Sequence, residues 1–221
     1  MKRAIYCISG LGADEQAFNK LQIKNYDLRF LPWIKPLNKK ESMASYAKRL
    51  GELINEPSPI LLGLSFGGMI AIEMAKQFPV DKIILISSVK TRDELPLWMR
   101  ATGKLKLHKF LPLKSNKLTE YFDDAQLGIS SKEEKNMVKM YRKNADREHI
   151  NWAIDQILNW QNNSVQATIF QIHGEKDRVF PIKRITPTHV IKQATHIMII
   201  NRASEISQCI KQILDNNFEM L

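Results

Sequence analysis

A chain of 221 residues is long for one domain and short for two, and its 44% hydrophobic and 25% charged content is that of a soluble globular protein. The net charge of +10 raises the question of a nucleic-acid partner, but residues 90–165 carry 14 Lys/Arg against 10 Asp/Glu and the remainder 19 against 13. The excess is spread through the chain instead of forming the patch such a partner needs, so no nucleic acid is expected.

Short apolar runs alternate with helical patterns. Ala4–Ile8, Leu28–Leu31, Ile60–Leu62, Ile83–Ile86, Thr168–Ile172 and Thr188–Ile191 have the length and β-branched content of strands. Between them, Met43, Tyr46, Ala47, Leu50, Leu53 and Ile54 keep the spacing of one buried helix face, closed by Pro57 and Pro59. Phe66, Met69, Ile70, Met74 and Phe78 repeat it before Pro79, and Ile206, Cys209, Ile210, Ile213 and Leu214 do so near the end. Strands alternating with helices imply parallel pairing through right-handed crossovers, an α/β fold.

The alternation breaks over Thr91–Asn163, 73 residues with helical patterns and no convincing strand. One helix is predicted to start at a capping box, Ser131-Lys-Glu-Glu134, and another carries Ile150, Ile154, Ile157 and Leu158 on one face. The expected layout is a core of residues 1–90 and 164–221 with a helical cap, residues 91–163, inserted between two strands and rejoined through Gln161–Gln166. Lys90, Arg92, Arg100, Lys104, Lys106, Lys109, Lys114 and Lys117 cluster at its start, as solvated helix faces or as an attraction for an acidic substrate.

Cys7 and Cys209 read as small core hydrophobes, not as a disulfide framework. The chain opens on a strand with no signal-peptide pattern, and no run reaches the roughly 18 apolar residues of a membrane span. A reduced, cytoplasmic protein is the expectation. His and Cys show no metal-ligand spacing, and the glycines form neither a P-loop nor a dinucleotide fingerprint, so no metal and no cofactor is expected.

One stretch carries chemistry. Gly63-Leu-Ser-Phe-Gly67 sits where the third strand turns into the second helix, and a sharp turn there holds the Ser65 hydroxyl out at the carboxyl edge of the sheet. The helix N-terminus behind it offers unpaired N–H groups to an oxyanion. A serine nucleophile needs a base, and the base an orienting acid. His108 and His149 fall in the cap, His189 inside a strand as a packed core histidine, and His173 at a strand end that shapes a turn. His196 follows the last strand at the edge that carries Ser65. Asp177, in His173-Gly-Glu-Lys-Asp177, lies at that edge too, while Asp93 and Glu94 after the fourth strand are rivals for the acid.

These residues resemble the α/β-hydrolase superfamily over nearly the whole chain: the Gly63–Gly67 elbow, the H-G-x-x-D stretch ending at Asp177 and the late His196 match its motifs, and Ser9-Gly-Leu-Gly12 matches its oxyanion loop. The resemblance implies a mostly parallel six-stranded sheet flanked by helices, reduced at its N-terminus by the family's first two strands, with the helical cap above. It implies a serine hydrolase acting on a small to medium carboxylic ester or thioester, with Ser65 as nucleophile, His196 as base and Asp177 as acid. Backbone N–H groups of Leu11 and Phe66 would form the oxyanion hole, and Trp98, Trp152 and Trp160 of the cap would line the pocket of a small-molecule acyl substrate. Ser9 stands where the family's loop usually has His, and Thr195 where Gly often precedes the histidine. The alternatives are an acyltransferase or lyase using the same triad, or a non-catalytic hydrolase-like receptor.

Overall fold

The computed structural model of the protein describes residues 2–105, 124–164 and 166–215. Its strands are β1 (Arg3–Ile8), β2 (Tyr26–Phe30), β3 (Ile60–Leu64), β4 (Lys82–Ile86), β5 (Ile169–Gly174) and β6 (His189–Ile191). They form one sheet in the order β2-β1-β3-β4-β5-β6, and every neighbouring pair is parallel. All six strands expected from the sequence are present. Pairings such as Ile8 with Gly63, Leu64 with Ile86 and Ile86 with Ile172 bring the carboxyl ends of β1, β3, β4 and β5 to one edge.

Side chains of a strand alternate between faces, and here each face has its own core. Tyr6, Ile8, Leu61, Ile83 and Leu85 join one cluster with residues of α1 (Met43–Gly51) and α2 (Phe66–Ala75). Ile5, Cys7, Leu62, Ile84 and Ile172 join the other, with α6 (Met198–Asn201) and α7 (Ala203–Leu214). Burial on both faces is why β3 and β4 read as continuous apolar runs, as central parallel strands do. Cys7 and Cys209 are free thiols, and burial pushes both up from the ordinary thiol range.

The helices end earlier than their periodicity suggests. Past Ala75 the N–H groups of Gln77 and Phe78 both converge on the Met74 carbonyl, and past Gly51 single-turn bonds carry Leu53 and Ile54. Such tightening satisfies terminal carbonyls without extending the helix. The single turn α6 was not expected.

Between β4 and β5 the described residues contain helices and no strand: α3 (Leu97–Lys104), α4 (Lys132–Asn144) and α5 (Arg147–Asn159). The capping box forms as expected, with Ser131 accepting from the Glu134 N–H and Glu134 from the Ser131 N–H. Glu134 also accepts from Asn201, tying the start of α4 to α6. At the stem, Asn162 donates to the Lys90 carbonyl at 2.7 Å and accepts from the Arg92 N–H at 2.7 Å, so the two ends of the insertion are pinned together. Trp152, Ala153, Leu158 and Trp160 bury themselves in the same cluster as α1 and α2. Of the basic cluster, Lys90 pairs with Glu94 and Arg100 with Asp93, whereas Lys106, Lys109, Lys114, Lys117 and also His108 lie outside the described residues. Among the described residues no helix is long and apolar enough to cross a membrane.

Candidate active site

Ser65 stands between β3 and α2 with φ 49° and ψ −117°, a backbone region that side chains rarely adopt. The turn is held by its neighbours: the Ser65 N–H donates to the Ile86 carbonyl at 2.9 Å, and the Ser65 carbonyl accepts from the Gly68 N–H at 3.0 Å and the Ser88 hydroxyl at 2.6 Å. The flanking glycines are there because backbones meet. A Cβ on Gly63 would run into the Gly68 backbone, and one on Gly67 into the Ile8 and Ser9 carbonyls. Gly68, which the five-residue motif omits, is closed in by the Ser88 side chain in the same way.

The Ser65 hydroxyl lies 3.0 Å from His196 Nε2, and His196 Nδ1 lies 2.8 Å from Asp177 Oδ2. The structure thus brings together the three groups named from the sequence, 131 residues apart at their widest. Gly174, the end of β5, touches the backbone of Ala194 so closely that a Cβ would collide, and the Lys176 N–H donates to the Ala194 carbonyl at 2.8 Å. These contacts seat the His196 loop against the Asp177 turn. Thr195 packs against Gly128, and the edge of Phe180 meets the His196 ring at 5.4 Å between centroids.

Asp177 is buried, and its carboxylate is held by more than His196. The N–H groups of Val179 and Phe180 donate to Oδ1 at 2.9 and 2.8 Å. Burial alone would raise its pKa, but the charge and hydrogen bond of His196, the nearby His173 and the Phe180 N–H together hold it below the usual carboxylate range. An ionised carboxylate only accepts, so the proton of His196 belongs on Nδ1 and the lone pair of Nε2 faces the Ser65 hydroxyl.

His173 has a part the sequence reading missed in detail. Its Nε2 donates to the Phe180 carbonyl at 2.8 Å and lies 3.4 Å from Asp177 Oδ2, while Nδ1 is buried with no partner among the described residues. Burial lowers its pKa, so a neutral ring braces the Asp177 turn. His189 is only half-buried in β6 and not packed in the core as its strand position suggested. The rival acids are engaged elsewhere. Asp93, 77% exposed, pairs with Arg100 at 3.0 Å, and Glu94 accepts from the Lys90 N–H at 2.7 Å and from Gln171 at 3.3 Å.

Phe66 opens α2, where first-turn N–H groups lie outside the helix's own ladder. Leu11 lies in the turn that the Ala13 N–H closes onto the Gly10 carbonyl at 3.0 Å, and a Cβ on Gly10 would lie 3.6 Å from Ser65 Cβ. Ser9 fastens this loop: its hydroxyl donates to the Ala13 carbonyl at 2.8 Å, which Trp33 Nε1 also reaches at 3.1 Å.

Trp98, Trp152 and Trp160, expected to line one pocket, do not share a wall. Trp98 is 59% exposed on α3. Trp152, 3% exposed, donates to the Glu41 carbonyl at 2.8 Å and packs on Tyr46 and the edge of Phe66. Trp160, 5% exposed, donates to Glu73 Oε1 at 2.7 Å. The indole stacked on Phe66, next to Ser65, is instead Trp33, at 5.5 Å between ring centroids. Its position after a short edge strand gave no sequence signal. Among the described residues no cluster of His, Cys, Asp or Glu could hold a metal ion.

No protein-family model matches the sequence, and no curated protein matches it. Solved structures do. A thermophilic esterase from Thermogutta terrifontis, solved with malate bound, superposes with a TM-score of 0.73 at 14% identity, over 97% of this chain and 90% of the other. A lipase-esterase related protein from Clostridium acetobutylicum gives 0.68 at 14%, over 96% and 94%, and a bromoperoxidase from Bacillus anthracis gives 0.68 at 14%, over 97% and 92%. The fold is that of the α/β hydrolases, with an all-parallel six-stranded sheet flanked by helices.

Proposed function

We propose that the protein is a serine hydrolase that cleaves a small to medium carboxylic ester or thioester through an acyl-enzyme on Ser65. The observation that carries this reading is the continuous line from Asp177 through His196 to Ser65, at 2.8 and 3.0 Å, on an elbow at the N-terminus of α2. The likeness of the fold to esterases supports it.

The Ser65 oxygen attacks the acyl carbonyl while His196 Nε2 takes its proton. The carbonyl oxygen becomes an oxyanion beside the Leu11 and Phe66 N–H groups, whose preorganised dipoles stabilise it without reorganisation. Asp177 stabilises the imidazolium. As the tetrahedral species collapses, His196 returns the proton to the leaving alkoxide or thiolate, leaving the acyl group on Ser65. A water then repeats the sequence with His196 as base, releasing the carboxylic acid and restoring the hydroxyl. No cofactor enters any step. The helices inserted between β4 and β5 act as a cap over the substrate.

The test is covalent. A fluorophosphonate probe should label the wild-type protein stoichiometrically at Ser65, and p-nitrophenyl butyrate should turn over. Labelling without turnover of graded aryl esters and acyl thioesters would favour a triad-bearing receptor. An unlabelled serine would end the hydrolase reading.

A further inference from the structure

A cavity of about 510 Å³ lies beside the proposed oxyanion loop, between the carboxyl ends of β1 and β2 and the junction of α4 with α5. Its volume falls within the roughly 300–1,000 Å³ of small-molecule sites. Phe30, Trp33 and Ile150 give it an apolar and aromatic wall, and Asp14, Glu15 and Asp146 give it carboxylates. Among the described residues the one cation on its lining, Lys35, is paired with Glu148 at 3.5 Å. In a chain of net charge +10 this pocket is negative.

Two of the carboxylates use one oxygen each as a helix cap. Asp14 Oδ1 accepts from the Gln16 N–H at 3.0 Å and Asp146 Oδ1 from the Glu148 N–H at 2.8 Å, each as an N-cap, and neither Oδ2 has a partner among the described residues. His149, also on the lining and only 6% exposed, adds an independent acceptor. The Tyr46 hydroxyl donates to the Ile34 carbonyl at 2.8 Å and accepts from the Ile34 N–H at 3.1 Å. Its remaining lone pair faces His149 Nε2 at 3.3 Å, so that nitrogen carries the ring proton. His149 Nδ1 is then a bare acceptor with no partner among the described residues. Burial lowers the His149 pKa against the pull of Asp146, which keeps the ring neutral.

We propose that this cavity binds an organic ammonium group, the cationic end of the substrate, between the indole of Trp33 and the carboxylates of Asp14 and Asp146, with His149 Nδ1 accepting one of its N–H bonds. An aromatic face and a carboxylate both attract a cation, and together they discriminate it from a neutral group of the same shape. Trp33 packs on His149 at 4.9 Å and stacks on Phe66 at 5.5 Å, so one ring spans the distance from the cavity to the residue after Ser65. The assignment of the ammonium compound as substrate rests on the hydrolase reading; the binding does not.

The experiment uses the full chain carrying Ser65→Ala, titrated with phenethylammonium and with 2-phenylethanol while protein amide and indole NMR signals are followed. The ammonium should bind at least about tenfold more tightly, with shifts centred on the Trp33 indole and Ile150. Adding Asp14→Asn and Asp146→Asn keeps both caps, since Asn caps as well as Asp, and should remove most of that preference. Equal affinity for the two compounds, shifts mapping elsewhere, or a preference that survives the double substitution would overturn the proposal. Ammonium selectivity in a protein whose wild-type Ser65 takes no fluorophosphonate would support the site and reject the hydrolase.

Discussion

Replacing Ser65 with alanine should lower turnover of p-nitrophenyl butyrate by about 10⁴–10⁶, leaving background hydrolysis, and abolish probe labelling. The fold should survive. The substitution removes one oxygen whose only bond among the described residues is to His196, whereas the bonds that hold the turn, to Ile86, Gly68 and Ser88, are made by the Ser65 backbone. Alanine meets the same positive φ as serine and adds no strain of its own. Turnover and circular dichroism measured on the same preparation separate lost chemistry from lost structure. An alanine variant with most of the wild-type rate would remove the nucleophile from the mechanism.

Asp177→Asn should cost about 10²–10⁴ in turnover with the substrate KM little changed. The amide oxygen can still accept from Val179 and Phe180, so the turn persists. Its NH₂ then confronts His196 Nδ1, and the ring relieves the clash of donors by moving its proton to Nε2, where it blocks the Ser65 hydroxyl. Asp93→Asn should cost less than about tenfold, because that carboxylate is exposed and engaged with Arg100. A large loss at Asp93 with a near-normal Asp177 variant would transfer the role. The two states of Asp177 also set a pH dependence. Its folded pKa is lowered, so its contribution to stability is present above the ordinary carboxylate range and is lost as pH falls through the lowered value. The Asn variant should lack that part of the acid-side slope in urea denaturation.

The centre of the sheet was legible because parallel strands buried on both faces read as near-continuous apolar runs. Ile60–Leu62 and Ile83–Ile86 announce themselves, and the short edge strand β2, with alternate residues exposed, was the weakest signal. The elbow was legible for a steric reason: only glycine survives where α2 crosses the carbonyls of Ile8 and Ser9. Ser65, Asp177 and His196 could be named because chain order and strand ends restrict where such groups fall. What stayed hidden were pairings between distant residues. Nothing in the pattern says that the indole of Trp160 finds Glu73, 87 residues away, and so joins the core beside α2. Nor does it say that Trp33 joins Trp152 against Phe66 and stacks on its ring. Periodicity reports which side of an element is apolar; it is silent on which polar atom each buried side chain will meet.

The backbone of Ser65 has a consequence for evolution. A side chain held at φ 49° and ψ −117° costs about 1–3 kcal/mol relative to a relaxed one, and glycine bears no such cost there. Ser65→Gly should therefore melt at a higher temperature than the wild type while hydrolysing nothing. Random drift under selection for foldedness alone would erase the serine first, so a lineage that keeps it records continued use of its hydroxyl. The strain of this turn is a mechanical load that the fold carries.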